Sequence, residues 1–178
     1  AGALRAAFTG LMTLPPGAAA ALASELAARL TREASAGRAL TPREALVLRL
    51  EAQYPGDVGV LASYFLNHVT LQPGEALYMA ANEPHAYLDG ECVEVMATSD
   101  NVIRAGLTPK YRDTGTLCAC LTYRQGAPEV LRGEALDGGA RRRYVPPFHE
   151  FQLDALVVAA GSEYEVPASE GPALLLVQ

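Results

Sequence analysis

The stretch Val69-Thr70-Leu71-Gln72-Pro73-Gly74-Glu75-Ala76-Leu77-Tyr78-Met79-Ala80 sets a short apolar run on each side of a Pro-Gly turn. Such runs, bounded by turn residues and too short for ordinary helices, are typical of β-strands. Similar runs recur as far as the last residues. The predicted strands cover residues 69–71, 76–80, 92–97, 116–123, 151–160, 163–166 and 173–177.

Before this stretch the sequence carries helical signals. Pro15-Pro16-Gly17 precedes Leu22, Leu26 and Leu30, which are spaced four residues apart among alanines. This spacing places the leucines on one face of an amphipathic helix of about four turns.

A second helix is predicted from its capping residues. Thr41 can act as the N-cap, Pro42 fits the first helical position, and Glu44 stands three residues after the cap. The side chains that this helix would bury are Leu46, Val47 and Leu50. A third, shorter helix is predicted within residues 58–66.

These patterns predict a mainly β protein, in which a cupin-like jelly roll is preceded by a helical segment. We expect residues 1–64 to be the end of a helical domain and residues 65–178 to be the jelly roll, with residues 126–147 as a long polar connection. The chain begins without Met and stops inside the last predicted strand, at Gln178. We therefore expect a piece of a longer polypeptide, incomplete at the C-terminal side of the jelly roll.

Composition narrows the class of protein. Half of the 178 residues are hydrophobic and 19% are charged, which indicates a folded globular protein. No apolar run reaches the roughly 20 residues of a membrane-spanning helix, and the first residues do not resemble a signal peptide, so we expect a cytoplasmic protein.

Charge and cysteine content add two further expectations. The net charge of -6 argues against nucleic-acid binding, and the one basic run, Arg141–Arg143, is interpreted as a solvated loop. The three cysteines, Cys92, Cys118 and Cys120, are expected to be reduced thiols, the last two packing from one face of a strand.

His85 is the histidine best placed for chemistry, since it follows a proline on a turn after a predicted strand. An imidazole there can bind a divalent metal ion through one ring nitrogen, or it can be a structural, hydrogen-bonded histidine. A catalytic zinc ion usually takes three protein ligands, and His68 and His149 lie far from His85 in sequence. The sequence does not contain a recognisable complete metal site.

Residues 85–110 hold a dense series of short motifs. They are His85-Ala86-Tyr87-Leu88, Gly90, Glu94, Met96-Ala97, Ser99-Asp100-Asn101, Arg104-Ala105-Gly106 and Thr108-Pro109-Lys110. Together these motifs resemble the signature of type I phosphomannose isomerases. Weaker similarity extends over residues 8–12, residues 54–59 and the downstream runs, so the resemblance covers most of the chain.

The resemblance implies an enzyme that interconverts mannose 6-phosphate and fructose 6-phosphate with one zinc ion. In that family the ligands are the Gln and His of a Gln-x-His segment, a Glu, and the His of the His-Ala-Tyr motif. Only the last is present, as His85, so the isolated chain is expected to be inactive. The implied partner is a small hexose 6-phosphate, with no nucleic acid or membrane, and the full-length protein is expected to be a monomer.

The resemblance also implies that Arg104 is the catalytic arginine. Residue type and position suggest roles for three more residues. Lys110 follows a stiff proline and is a candidate for binding the sugar phosphate or for orienting its hydroxyls. Glu94 either transfers a proton or forms a structural ion pair with Arg104. Tyr87 either lines the pocket or is a core aromatic. A different class of function stays open, a stand-alone cupin-like module that binds sugar phosphate without catalysis.

Overall fold

The computed structural model describes residues 2–177. Helices hold 35% of the residues and strands 9%, and the strands form two small antiparallel sheets. The prediction of a mainly β protein with a cupin-like jelly roll is therefore wrong. The runs at 69–71, 92–97, 163–166 and 173–177 form no strand within the described residues. An apolar run becomes a strand only when a neighbouring strand pairs its backbone groups, which sequence alone does not reveal.

Five α-helices occur within residues 2–177, with one 3-10 turn at Ser63–Phe65 and another at Asp137–Gly139. They are α1 (Gly2–Met12), α2 (Pro16–Ser35), α3 (Pro42–Gln53), α4 (Val58–Ala62) and α5 (Thr114–Cys120). Helix α1 was not predicted from the sequence. Its signal was the pair Phe8 and Met12, which lie four residues apart and are both buried.

Helix α2 confirms the predicted helix, with the buried face shifted away from Leu22. Of the three predicted leucines, Leu30 is buried, Leu26 is partly buried and Leu22 is 47% exposed. Ala19 and Ala23 complete the buried face. The helix packs against α3 and α4 through its small residues, which allow the helices to approach closely.

Helix α3 agrees with its prediction in detail. The Thr41 side chain accepts a hydrogen bond from the Glu44 amide, and the Glu44 side chain accepts one from the Thr41 amide. This reciprocal pair satisfies two amides that the first turn leaves without partners. The three predicted core residues, Leu46, Val47 and Leu50, are buried.

Residues 116–123 do not form the predicted strand, because most of them belong to helix α5. The Asp113 side chain accepts hydrogen bonds from the Thr116 amide and hydroxyl and so caps the first turn. Leu117 and Cys118 are buried by this helix. Cys118 is thus a packing residue, as expected, but it lies on a helix.

The strands lie late in the chain. They are β1 (Ala76–Leu77), β2 (Val130–Leu131), β3 (Glu134–Leu136), β4 (Arg141–Tyr144) and β5 (Leu153–Leu156). Strands β1 and β2 pair with each other, and β4 lies between β3 and β5. Only parts of two predicted strands, 76–80 and 151–160, are thus confirmed.

The basic run is part of this second sheet and is not the solvated loop that we expected. Arg141, Arg142 and Arg143 all belong to β4, so residues 126–147 are not simply a connection. Arg143 donates two hydrogen bonds of 2.8 Å to Asp154 on β5. Arg141, on the same face of β4, also lies 3.4 Å from Asp154, so this carboxylate offsets the charge of two of the three arginines.

The chain folds into two compact units, of which the first ends at Leu131 and the second begins at Arg132. The first unit contains two hydrophobic clusters. Cluster 1 consists of Phe8, Met12, Ala19, Val58, Ala62, Leu117 and Cys118, and cluster 2 of Ala23, Leu30, Leu46, Val47, Leu50 and Val60. The predicted domain boundary after residue 64 stays a prediction.

Within residues 2–177 no single helix is long and apolar enough to cross a membrane. Helices α1 and α2 pass that test of length and composition only as a pair, bent by 102°. Cys92, Cys118 and Cys120 are free thiols.

Candidate active site

All five predicted site residues lie between β1 and α5, in residues 78–113, which form no helix or strand. This segment is part of the first unit. Because no helix or sheet hydrogen bonds order this segment, its conformation depends on side-chain contacts with the rest of the first unit.

The first of these points is at the His-Ala-Tyr-Leu motif. Arg49 on α3 donates a hydrogen bond of 2.6 Å to the Leu88 carbonyl, and its second terminal nitrogen lies 3.4 Å from Asp89. The Leu88 side chain packs against cluster 2. Helix α3 thus fixes the backbone directly after Tyr87.

Glu83 holds the other side of the same motif. Its carboxylate accepts a hydrogen bond of 2.6 Å from the Thr122 hydroxyl and lies 3.6 Å from an Arg124 nitrogen. The Glu83 carbonyl oxygen is 2.9 Å from Nδ1 of His85. In the tautomer that carries its hydrogen on Nδ1, this contact orients the ring and leaves the lone pair of Nε2 for a ligand.

Tyr87 and Glu94 are brought together directly. The Tyr87 hydroxyl donates a hydrogen bond of 2.6 Å to the Glu94 carboxylate. Burial, together with this hydrogen bond, raises the pKa of the Tyr87 hydroxyl above its usual value of 10.0. The rings of His85 and Tyr87 are 5.9 Å apart between centroids. Three of the predicted residues thus form one group, the His85–Tyr87–Glu94 group.

Arg104 lies in a separate short segment, residues 103–107, which we term the Arg104 loop. Ile103 and Ala105 pack against cluster 1, and Leu107 packs against cluster 2. Arg104 is partly exposed between the first two. Among the residues that the structure describes, no ion pair joins it to Glu94, which bonds to Tyr87 instead.

Lys110 lies on the exposed surface beyond the Arg104 loop. Its backbone amide donates a hydrogen bond of 3.2 Å to the Thr108 hydroxyl. The intervening Pro109 restricts the turn, but within residues 2–177 no hydrogen bond connects the Lys110 ammonium group to the His85–Tyr87–Glu94 group.

Asp57 lies in the weakly similar run 54–59, but nothing in the sequence assigned it a role in this region. Its Oδ1 accepts hydrogen bonds from the amides of Gly59, at 2.6 Å, and Leu107, at 2.9 Å. The position directly before α4 marks Asp57 as an N-cap. Its second partner is 50 residues away, and no local pattern announces a contact over that distance.

Described residues bring together no group of three or more His, Cys, Asp or Glu side chains that could hold a metal ion. His85 is exposed, and its Nδ1 contact leaves Nε2 able to bind a metal in the tautomer described above. Among the described residues, His85 is thus a candidate for one position of a metal site, and no complete set of ligands accompanies it.

Two comparisons with known proteins agree with each other. Residues 1–66 match the family model described as "Phosphomannose isomerase type I, helical insertion domain". The chain is 51% identical over 174 residues to mannose-6-phosphate isomerase 1 of Arabidopsis thaliana, which covers 98% of the chain and 40% of the relative. It is 40% identical over 182 residues to mannose-6-phosphate isomerase of Macaca fascicularis, which covers 99% of the chain and 43% of that protein.

The resemblance to type I phosphomannose isomerases is confirmed. A third relative, the probable mannose-6-phosphate isomerase of Dictyostelium discoideum, is 49% identical over 74% of the chain and 30% of its own length. The chain thus spans about two fifths of the length of the first two relatives. The residues that match the helical insertion domain, 1–66, include helices α1 to α4.

Proposed function

We propose that the complete polypeptide carrying this chain is a zinc-dependent isomerase that interconverts mannose 6-phosphate and fructose 6-phosphate. The observation that carries the proposal is the 51% identity, over 98% of the chain, to a protein named mannose-6-phosphate isomerase. These 178 residues are proposed to be a fragment of that enzyme, with the remaining zinc ligands outside them.

The reaction moves a proton between C1 and C2 of the sugar, through an enediolate on whose oxygens negative charge builds. In our proposal the Arg104 guanidinium stabilises that charge by fixed hydrogen bonds. A bound zinc ion would supply Lewis acidity in the same site. His85 is the residue of this chain that would hold it.

Glu94 is proposed to transfer the proton, with Tyr87 as the group that positions it. The hydrogen bond of 2.6 Å from the Tyr87 hydroxyl holds one carboxylate oxygen of Glu94, and in this proposal the other oxygen exchanges the proton with the sugar. The Tyr87 hydroxyl is protonated at neutral pH and can donate this hydrogen bond, because even its usual pKa of 10.0 lies well above 7 and the pKa is raised further here.

Lys110 is proposed to bind the phosphate as a point charge, since an exposed ammonium on a stiff turn suits an anion. The substrate is therefore a small hexose 6-phosphate. We further propose that the complete protein is cytoplasmic and monomeric.

The test uses the complete polypeptide from the reading frame that contains this chain. Zinc content and the isomerisation rate of mannose 6-phosphate are measured for the wild type, His85→Ala and Arg104→Ala. We expect about one zinc ion in the wild type, loss of both zinc and activity in His85→Ala, and retained zinc in Arg104→Ala. For Arg104→Ala the expected fall in kcat is about 10²- to 10³-fold.

His149→Ala is the matched control, because His149 lies at the surface and belongs to the second unit. It is expected to keep zinc and activity. If the wild-type polypeptide binds mannose 6-phosphate without turnover, the isomerase proposal fails and a sugar-phosphate binding module replaces it.

A further inference from the structure

We propose that Asp57 is a positioning residue that holds the Arg104 loop in place and so acts through Arg104. The kinetic part of this inference rests on the proposed function. Its structural part concerns only the described residues and can be tested without activity.

One oxygen of Asp57 has two hydrogen-bond partners from parts of the chain that are distant from each other. Oδ1 of Asp57 caps α4 by accepting from the Gly59 amide at 2.6 Å and also accepts from the Leu107 amide at 2.9 Å. The Asp57 side chain is 19% exposed, and an Arg112 nitrogen lies 4.0 Å from the same oxygen. An ordinary N-cap serves its own helix, whereas this one also binds a segment 50 residues further along the chain.

The backbone at Gly59 and the backbone at Gly106 and Leu107 approach each other closely at this point. A Cβ atom on Gly59 would lie 2.7 Å from the Leu107 nitrogen, and one on Gly106 would lie 2.8 Å from the Gly59 Cα. Two glycines therefore give the Leu107 amide access to Asp57. Leu107 itself has φ of 55°, a left-handed conformation that disfavours a branched side chain and needs support from its surroundings.

The Asp57–Leu107 contact bears on Arg104 through the loop that carries it. Ile103 and Ala105, which flank Arg104, pack against cluster 1, and the Asp57–Leu107 bond fixes the C-terminal end of the Arg104 loop. A cation that stabilises developing charge is effective only when its position is set before the reaction, and a displacement of about 1 Å can cost about 10²-fold in rate. Asp57 supplies part of that constraint from the helical region.

The experiment measures kcat and KM for mannose 6-phosphate, and hydrogen exchange of residues 103–107, in the complete polypeptide. Asp57→Ala is expected to lower kcat by about tenfold to a hundredfold with KM changed much less, because the loss concerns the transition state. Exchange in the Arg104 loop is expected to accelerate. Asp57→Asn keeps an oxygen at the same place and should restore most of both properties.

Asp113→Ala is the matched control. Asp113 is likewise an aspartate N-cap, and its helix α5 contributes Leu117 and Cys118 to cluster 1, but it makes no hydrogen bond to the Arg104 loop within the described residues. It should leave exchange of residues 103–107 and kcat near wild type. If Asp57→Ala changes kcat and loop exchange no more than Asp113→Ala, or if Asp57→Asn loses as much as Asp57→Ala, the inference is overturned.

Failure of the proposed function has a different signature. In that case the wild-type polypeptide shows no isomerisation, or Arg104→Ala is fully active, whatever Asp57 does. The exchange measurement then still decides whether Asp57 holds the loop.

Discussion

Glu44 carries several of the polar contacts at the start of α3. Arg38 donates to its two carboxylate oxygens at 3.0 and 3.1 Å, and the Thr41 amide donates at 2.8 Å. The hydrogen bonds from Arg38 and then from Thr41 lower the pKa of Glu44 from 4.5 to about 2. A lowered pKa in the folded state means that the folded protein favours the ionised form more than the unfolded chain does.

The consequence is a pH-dependent contribution to stability. It is fully present above pH 4.5, the pKa of the unfolded group, and is lost as the pH falls through about 2. We expect Glu44→Gln, which keeps the capping geometry but loses the charge, to lower the urea midpoint at pH 7. The difference from wild type should shrink as the pH falls below 4.5. Glu25→Gln, on the exposed face of α2, is the control, and a Glu44→Gln difference that does not vary with pH would contradict this account.

At the scale of elements, the buried face of α2 can be tested directly. The leucine spacing in the sequence predicts burial of Leu22 and Leu30 equally, but Leu30 is fully buried in cluster 2 and Leu22 is 47% exposed. Leu30→Ala is expected to lower the free energy of unfolding by about 2–5 kcal/mol, through lost transfer energy and the cavity left behind. Leu22→Ala should cost much less, because little apolar surface returns to water.

Chemical denaturation of both variants measures the difference. Equal losses for Leu22→Ala and Leu30→Ala would show that the helix buries the face predicted from the sequence. A large loss for Leu30→Ala alone supports the face formed with Ala19 and Ala23.

The predicted and observed elements, set side by side, show which elements a sequence can predict. The capping box of α3 lies within four residues, from Thr41 to Glu44, so the sequence shows it completely. Helix α5 was mistaken for a strand because Leu117 to Leu121 read as a continuous apolar run, and the deciding feature was the cap at Asp113. Most of the predicted strands did not form, because strand pairing depends on partners far away in sequence. The strand at Ala76 did form, through pairing with the distant Leu131.

The candidate site also contains features that the sequence could predict and features that it could not. Motif residues such as His85 and Arg104 could be selected through their resemblance to a family, and the roles given to them stay predictions. The structure adds what holds them, namely Arg49 for the His85 motif and Asp57 for the Arg104 loop. These supports come from the helical region, 39 and 50 residues away in sequence, so their geometry was inaccessible to pattern reasoning.

At the scale of the whole molecule, the chain spans about two fifths of the length of relatives named mannose-6-phosphate isomerase. Its described residues supply one candidate zinc ligand, His85, and no cluster of three or more potential ligands. A catalytic zinc ion usually needs three protein ligands, because a single imidazole cannot compete with water for the ion. Zinc retention should therefore depend on polypeptide outside these 178 residues.

We expect the 178-residue chain, dialysed against metal-free buffer after loading with zinc, to retain much less than one ion per chain. The complete polypeptide treated in the same way should retain about one, and a strong chelator should remove both this ion and the isomerase activity. Metal content by mass spectrometry and the isomerisation rate measure the two effects. If the 178-residue chain retains one zinc ion, and His85→Ala in that chain abolishes retention, then the site is assembled within this chain and our division of its ligands is wrong.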